Sequence, residues 1–269
     1  MKGMKGKTFI ATEAGHWYQQ DGTPLHEIEA KNGKGLRPVT LRDARTLNLV
    51  PSVTGILNML PKPQLIVWQK KQVLLAALTL TRQPEENDEV YIRRIMADAD
   101  AQAHKARERG TAVHTEIEKH LLGEIESVKA RAVLNALASY LMLADFGDIL
   151  GLSEPEKSFA HPLGYGGKVD LHSKQLNFVC DFKTKEFTEE IEKLAYDEQI
   201  LQLVGYADGL NMPDARLINV YISTKIEGLI RVVEHENIDR TYYRQLFGDC
   251  LRLWKTLKKY DGSEKAKET

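Results

Sequence analysis

The stretch Gly164-Tyr-Gly-Gly-Lys-Val-Asp-Leu-His-Ser-Lys-Gln-Leu-Asn-Phe-Val-Cys-Asp-Phe-Lys-Thr184 decides the fold of this chain. It contains two strand-like segments, residues 167–172 and 176–183, and each segment carries one aspartate. Because side chains alternate along a strand, Asp181 and Lys183 project together from one exposed face, where Asp170 can meet them. The opposite face is an apolar stripe that we expect to contact the core, and it comprises Leu176, Phe178, Cys180 and Phe182.

Two carboxylates and an ammonium group at one point indicate metal-dependent phosphate chemistry. Carboxylates are the usual protein ligands of Mg²⁺, which also keeps waters and phosphate oxygens in its shell. A neighbouring ammonium group stabilises negative charge at a reacting phosphate or orients the attacking water. The simpler alternative, for an Asp-x-Lys sequence on its own, is a surface salt bridge across a hairpin. The second aspartate and the glycine-rich segment favour a functional site.

The rest of the chain predicts helices on either side of a short run of strands. Four helices are expected before the quoted stretch, and a helix, two strands and a final helix after it. This order predicts an α/β protein in which a mixed sheet is flanked by helices. The predicted helices are 53–60 (capped by Ser52), 65–80, 91–122 (interrupted at Gly110), 127–146, 189–210 and 237–260, and the further strands are 156–161, 216–223 and 228–233.

Composition excludes several classes of protein. The chain has 269 residues, of which 42% are hydrophobic and 28% charged, so global disorder and fibrous repeats are excluded. No apolar run approaches the ~20 residues of a membrane span. No apolar signal segment follows the basic start, so we expect a cytoplasmic protein (in the host cytosol if phage-encoded) without a membrane partner. The two cysteines, Cys180 and Cys250, cannot supply the four thiolates of an iron–sulfur cluster.

Positive charge is concentrated in the first part of the chain. Residues 1–110 contain 17 Lys or Arg against 12 Asp or Glu, whereas the whole chain has a net charge of −1. Ordinary fluctuation explains this asymmetry about as well as contact with a polyanion does. The basic side chains suited to a phosphate-tracking groove are Lys70, Lys71, Arg93, Arg94, Lys105, Arg107 and Arg109, and Trp68 or Tyr91 would be able to stack on bases.

Four short motifs follow one another along the chain: Gly110-Thr-Ala-Val-His114, Gly167-Lys-Val-Asp170, Asp181-Phe-Lys-Thr184 and Gln202-Leu-Val-Gly-Tyr206. With these motifs in this order, the chain resembles the RecB-like branch of the PD-(D/E)XK nuclease superfamily. The segment Pro51-Ser-Val-Thr54, followed by Trp68, is similar to the N-terminal region of phage RecB-like nucleases and of the mitochondrial genome maintenance exonuclease. The resemblance implies a restriction-endonuclease-like core, with a mostly helical N-terminal extension, that hydrolyses DNA with Mg²⁺ or Mn²⁺.

The same resemblance implies a role for each motif residue. Asp170, Asp181 and Lys183 would be the catalytic residues. The metal ligands would be His114, Asp170, Asp181 and the backbone carbonyl of Phe182. From one face of a helix, Gln202 and Tyr206 would position the substrate.

Three further positions stay open in this interpretation. The family places a glutamate on the first core strand, and Glu154 and Glu156 both qualify. Glu118 is another outer carboxylate, although a solvated helix charge explains it better. His172, two residues beyond Asp170 on the same strand face, is the additional histidine to examine.

These observations predict three parts of the chain and a nuclease function. Residues 1–90 would form an N-terminal extension that serves as a DNA path or arch, residues 91–262 the nuclease core, and residues 263–269 a charged tail. We expect an exonuclease acting on DNA with free ends or single strands, in phage or prophage replication, recombination, repair or processing. The alternatives are a structure-specific endonuclease and a non-catalytic DNA-binding or assembly module with the same fold.

Overall fold

The structure is a computed structural model that describes residues 15–30, 33, 35–191 and 193–263. The basic start of the chain lies outside the described residues, and so does the predicted charged tail except for Ser263.

Helices precede and follow the strands in the order that the sequence predicts. The first half contains β1 (Trp17–Tyr18), β2 (Glu27–Glu29), β3 (Leu36–Pro38), α1 (Leu41–Leu47), β4 (Val50–Pro51), α2 (Val53–Leu57), α3 (Pro63–Thr79), α4 (Asp88–Leu121) and α5 (Val128–Tyr140). The second half contains α6 (Phe146–Leu152), β5 (Glu154–His161), β6 (Tyr165–Ser173), β7 (Phe178–Lys185), α7 (Asp197–Gly209), β8 (Arg216–Ser223), β9 (Ile230–Glu234) and α8 (Arg240–Lys258).

A five-stranded mixed sheet forms the centre, with strand order β5-β6-β7-β8-β9. Strands β7 and β8 are parallel and are connected through α7, while the other neighbours are antiparallel. The predicted fold class, a mixed sheet flanked by helices, is therefore confirmed. Two small two-stranded sheets, β1-β4 and β2-β3, lie outside the central sheet.

Each face of the sheet is covered by its own hydrophobic core. On one face, α7 and α8 pack with the segment 17–57, which includes α2. Within this core, Trp17 meets Trp254 edge to face at 6.1 Å between ring centroids. On the other face, α4 and α5 cover Phe178, Cys180 and Phe182, the apolar stripe expected from the sequence. Residues on both sides of the predicted boundary at 90/91 share the first core, and the boundary itself falls inside α4.

The second face of β7 is not exposed, contrary to expectation. Val179 is fully buried in the first core, and Asp181 is only 2% exposed. The physical reason is the parallel crossover, because the helix that connects two parallel strands covers the sheet face that a free hairpin would leave open. The candidate carboxylates are therefore desolvated, which changes their chemistry.

Helices α1 and α6 were not predicted, and α2 and α5 end earlier than expected, at Leu57 and Tyr140. Two further helices also differ from the prediction. Gly110 does not interrupt α4, which runs for 34 residues from the cap at Asn87. A single helical glycine costs only about 1 kcal/mol relative to alanine, which a long capped helix tolerates. Helix α7 begins at Asp197 rather than near residue 189, because Phe187 and Leu194 pack on Tyr221 and hold the preceding segment as a loop.

Helices α3 and the first part of α4 pack against each other and form an arm, residues 63–109. Only Ala76, Ile95 and Ala99 are buried along this arm. The hydroxyl group of Tyr91 donates a hydrogen bond to the Leu80 carbonyl oxygen at 2.8 Å and closes the turn between the helices. Among the described residues, no helix combines the length and apolarity that crossing a membrane requires.

Candidate active site

The candidate site lies where β6 and β7 separate. Their ladder comprises three residue pairs, from Ser173 with Phe178 to Leu171 with Cys180. At the next position the Asp170 carboxylate, rather than the strand backbone, accepts the hydrogen bond of the Phe182 amide, at 2.8 Å. A side chain therefore replaces the ladder at the point where the strands diverge, so that a carboxylate is fixed in the opening.

Strand β6 also rotates at this position. Val169 and Leu171 lie two residues apart, yet they pack into opposite cores. In a regular strand they would share a face. On the neighbouring strand β5, Pro155 pairs with Leu171 and Lys157 pairs with Val169. Glu156, between them, has a φ of 55°. This irregular segment allows Asp170 to be approached from α4 on one side of the sheet and from Asp181 on the other.

Asp181 is held by three different donors. Its Oδ1 accepts hydrogen bonds from Lys183 Nζ and from Gln202 Nε2, each at 2.8 Å. Its Oδ2 lies 2.7 Å from Lys183 Nζ and accepts a hydrogen bond from Asn219 Nδ2 at 2.9 Å. A carboxylate accepts but does not donate when ionised, so this arrangement stabilises the charged form and fixes its plane.

Lys183 is a protonated ammonium group at neutral pH. Burial acts to lower its pKa, but the negative charges of Asp181 and Asp170 outweigh burial and raise the pKa above the ordinary lysine value. A protonated amine cannot accept a proton from water. Lys183 is therefore suited to donating hydrogen bonds to a water or a phosphate oxygen, and not to acting as a general base.

Asp170 and His114 form the other half of the site. The His114 Nδ1 atom lies 3.5 Å from Asp170 Oδ2. Burial, and then the charge of Asp181, raise the pKa of Asp170 well above its usual range. Burial lowers the pKa of His114, so its imidazole is neutral at pH 7 and is able to offer a lone pair.

The motif glycines allow close approaches around these residues. A Cβ atom at Gly110 would lie 3.0 Å from Thr184 Oγ1, so the glycine lets α4 lie against β7 and brings His114 to the site. A Cβ atom at Gly167 would lie 2.9 Å from Tyr206 Cε1. The tyrosine hydroxyl in turn accepts a hydrogen bond from Gln202 Nε2 at 2.9 Å. All four motifs therefore converge on one site.

We expect Gly167→Ala to destabilise the protein by about 1–3 kcal/mol, because the added methyl group must displace Tyr206 or Phe159 from a packed position. Displacement of Tyr206 should also misplace Gln202, so that any activity that depends on this site falls along with the melting temperature. Gly248→Ala is the matched control, since a Cβ atom at Gly248 meets nothing within 4 Å. It should leave activity unchanged and raise stability by roughly 0.5–1 kcal/mol, the usual gain for a helix interior. Equal stability of the two variants would contradict this packing argument.

The structure distinguishes the two candidate glutamates. Glu156 lies opposite Asp170 and forms an ion pair with Lys168, and burial raises its pKa. The side chain of Glu154 is 61% exposed and pairs with Lys157. Lys168 also lies 3.5 Å from Glu118, so Glu118 and Glu156 flank one lysine beside the site. Of the two glutamates, Glu156 is therefore the one next to the catalytic candidates.

The other buried histidines have structural partners. His172 is 1% exposed, and its Nδ1 lies 3.0 Å from the Glu154 carbonyl oxygen. His120 is also buried, with its Nδ1 3.1 Å from the Ile125 carbonyl oxygen. His235 differs from both, because its Nε2 lies 2.8 Å from Asn219 Oδ1 and so reaches Asp181 through one side chain. No sequence motif or ligand spacing points to Asn219 or His235.

We expect His235 to make the protein acid-sensitive. Burial lowers its pKa from 6.5 to about 4. Between these values the unfolded chain binds the proton and the folded chain does not, so stability falls as the pH drops from 6.5 to 4. The loss at pH 4 should be about 3 kcal/mol, from 1.36 kcal/mol per pKa unit. Chemical denaturation of wild type and His235→Gln at pH 7 and pH 4 measures it, and a loss that is equally large in His235→Gln would assign the effect to other groups.

The basic side chains suited to a DNA path lie on the arm, and they differ in whether they are paired or exposed. Arg94 forms an ion pair with Glu86 at 2.6 Å. Tyr91 is engaged by Leu80 and lies 5.8 Å from the Arg82 guanidinium, so its ring is part of the arm and not a free stacking surface. Trp68 is partly exposed. The basic residues that are exposed are Lys70, Lys71, Arg93, Lys105, Arg107 and Arg109.

The donors at the site match a hard divalent cation in kind, since they comprise two carboxylates, an imidazole and a backbone carbonyl group. Burial and the charge of Asp181 disfavour the ionised form of Asp170, which is the form that binds a cation. Among the described residues, however, no group of three or more His, Cys, Asp or Glu side chains is arranged to hold a metal ion. Lys183 contacts both oxygens of Asp181, so metal binding by Asp181 requires this lysine to move from at least one of them.

Comparison with known proteins does not assign the chain to a family. No protein-family model matches the sequence, and no curated protein matches it. Among solved structures, the chain is similar to one described as "Crystal structure of SSO0001", with 16% sequence identity and a TM-score of 0.31. The similarity covers 70% of this chain and 85% of that chain. At this TM-score the likeness carries no argument about function.

Proposed function

We propose that this protein is a metal-dependent deoxyribonuclease that hydrolyses DNA from strand ends. The observation that carries the proposal is the convergence of Asp170, Asp181 and Lys183 where β6 and β7 separate, with His114 beside them. The ordered motifs of the RecB-like nucleases, quoted above, supply the same residues. A surface salt bridge does not account for the arrangement, because the carboxylate side chains are only 16% and 3% exposed.

The proposed reaction is hydrolysis: a water oxygen attacks a DNA phosphorus atom and forms a new P–O bond, while the P–O bond to the ester oxygen on the opposite side breaks. The attacking water releases its proton to solvent, and the departing oxygen takes up a proton from solvent. Mg²⁺ or Mn²⁺, held by Asp170, Asp181, His114 and the Phe182 carbonyl oxygen, would supply positive charge for the reacting phosphate. Lys183 donates hydrogen bonds to the attacking water or to a phosphate oxygen. Gln202 and Tyr206 orient Asp181 and the substrate from α7.

The test uses purified protein with DNA labelled at one end. Single-stranded and duplex substrates, each linear and circular, are incubated with Mg²⁺, with Mn²⁺ or with EDTA. We expect the linear substrates to be shortened with either metal and to persist in EDTA. Cleavage that continues in EDTA, or the absence of cleavage under every condition, would contradict the proposed function.

We expect His114→Ala to raise the Mg²⁺ concentration needed for half-maximal cleavage by about tenfold or more, the loss typical of groups that orient metal ligands. Because the wild-type imidazole is kept neutral by burial, its contribution should persist at pH 6.5 and decline only in more acidic solution. Titrating cleavage against Mg²⁺ at about pH 5.5, pH 6.5 and pH 8 measures both effects. His104→Ala on the exposed side of α4 is the control, and identical metal dependence of the two variants would make His114 a structural residue.

A further inference from the structure

Asn219 and His235 form a chain of hydrogen bonds that ends at Asp181. Asn219 stands next to Asp181 in the parallel ladder of β7 and β8, and its Nδ2 donates to Asp181 Oδ2 at 2.9 Å. His235 follows β9, where its backbone amide donates to the Leu217 carbonyl oxygen, and its Nε2 lies 2.8 Å from Asn219 Oδ1. Both side chains are buried, with 1% and 8% exposure.

The groups at the two ends of this chain, Asp181 and His235, determine which atom donates and which accepts in each hydrogen bond. The ionised Asp181 carboxylate only accepts, so Asn219 must present its NH₂ group to it and its carbonyl oxygen to His235. The histidine must therefore carry a proton on Nε2. An amide in the reverse orientation would place an oxygen against the carboxylate, and His235 prevents this reversal by donating to the amide oxygen.

Stability of the sheet does not require this arrangement. Asn219 stands in a buried apolar run, Leu217 to Ile222, where a hydrophobic side chain would pack without any polar group to satisfy. A buried polar side chain costs free energy unless all of its bonds are made. The two oxygens of Asp181 are instead held by two amides from different elements, Gln202 on α7 and Asn219 on β8. These two amides would hold the plane of the Asp181 carboxylate in place when Lys183 moves away from it.

We propose that Asn219 and His235 are positioning residues, which hold the Asp181 carboxylate in the orientation that metal binding and catalysis require. This inference rests on the nuclease function proposed above and extends it to two residues outside the four motifs. Neither residue contacts the substrate in this proposal, because both act through Asp181.

The test compares His235→Leu, His235→Gln and Asn219→Leu. Glutamine places an N–H donor near the position of the imidazole Nε2, whereas leucine fills the volume without a donor. We expect the two leucine variants to bind Mn²⁺ 10–100-fold more weakly by calorimetry and to lose cleavage activity in proportion. His235→Gln should recover most of both. His120→Leu is the matched control, a buried histidine outside the chain of bonds, and should retain wild-type Mn²⁺ affinity.

A spectroscopic measurement decides the case if a leucine variant does not fold. In wild-type protein labelled uniformly with ¹⁵N, the His235 ring should be protonated on Nε2. In Asp181→Asn protein labelled in the same way, the side-chain amide resonance of Asn219 should shift. Protonation on Nδ1 alone, or wild-type Mn²⁺ affinity in both leucine variants, would overturn the proposal. If the wild type binds Mn²⁺ and shows these signals but does not cleave DNA, the proposed nuclease function fails while the positioning role stands.

Discussion

Asp170→Asn is expected to abolish metal-dependent cleavage and, in EDTA, to make the protein more stable. The loss of activity should be about 10³-fold or more, because a metal site supplies several kcal/mol of charge stabilisation to the reacting phosphate. The gain in stability follows from the raised pKa of Asp170, which means that burial and Asp181 disfavour its ionised form. A neutral amide removes that unfavourable charge and still offers an oxygen to the Phe182 amide.

The sign of the stability effect depends on pH. A carboxyl group whose pKa is raised on folding destabilises the folded protein once the pH exceeds its unfolded value, and increasingly so up to the folded value. The difference between Asp170→Asn and wild type should therefore be large at pH 8 and disappear in acid. Thermal unfolding in EDTA across this range measures it. The control is Asp249→Asn on the solvent side of α8, where the side chain is 44% exposed and pairs with Arg252. A destabilised Asp170→Asn at pH 8 would show that the carboxylate is structural.

Circular single-stranded DNA is expected to resist the enzyme under conditions that fully digest linear strands of the same sequence. The arm adjoins the site through α4, and under the proposed function its exposed basic residues would contact phosphates independently of base sequence. An arm that covers the site would admit a strand end more readily than a continuous strand. Cleavage should also weaken steeply with added salt, because phosphate contacts release counterions when they form.

Linear and circular strands mixed in one tube meet the same protein preparation and the same metal concentration, so the linear strand is the internal control. Equal rates on both forms would establish an endonuclease and rule out the requirement for a free end. Neutral substitution of Lys105 and Arg107 together should reduce the salt dependence of binding without changing the products. Unchanged salt dependence in this double variant would place the phosphate path elsewhere on the surface.

Local patterns predicted much of the fold, and long-range contacts account for what was missed. Strand β8 has the predicted bounds, and Ser52 caps α2 through the Gly55 amide as expected. The burial of Asp181 depends on α7 crossing over the sheet, which no local pattern contains. Asn219 gave one usable signal, a single amide within an apolar strand, but its partner His235 comes from a different strand end and had no recognisable spacing.

Because α4 continues through Gly110, one uninterrupted helix carries both the outer part of the arm and His114. From Gly110 the helix extends about 33 Å to its start at Asp88 and about 6 Å to His114, at 1.5 Å per residue. If α4 pivots as a rigid body about its close contact with Thr184, a displacement of about 5 Å at the outer end corresponds to about 1 Å at the imidazole. Engagement of DNA along the arm and affinity for the cation would then be thermodynamically linked, each strengthening or weakening the other by the same factor.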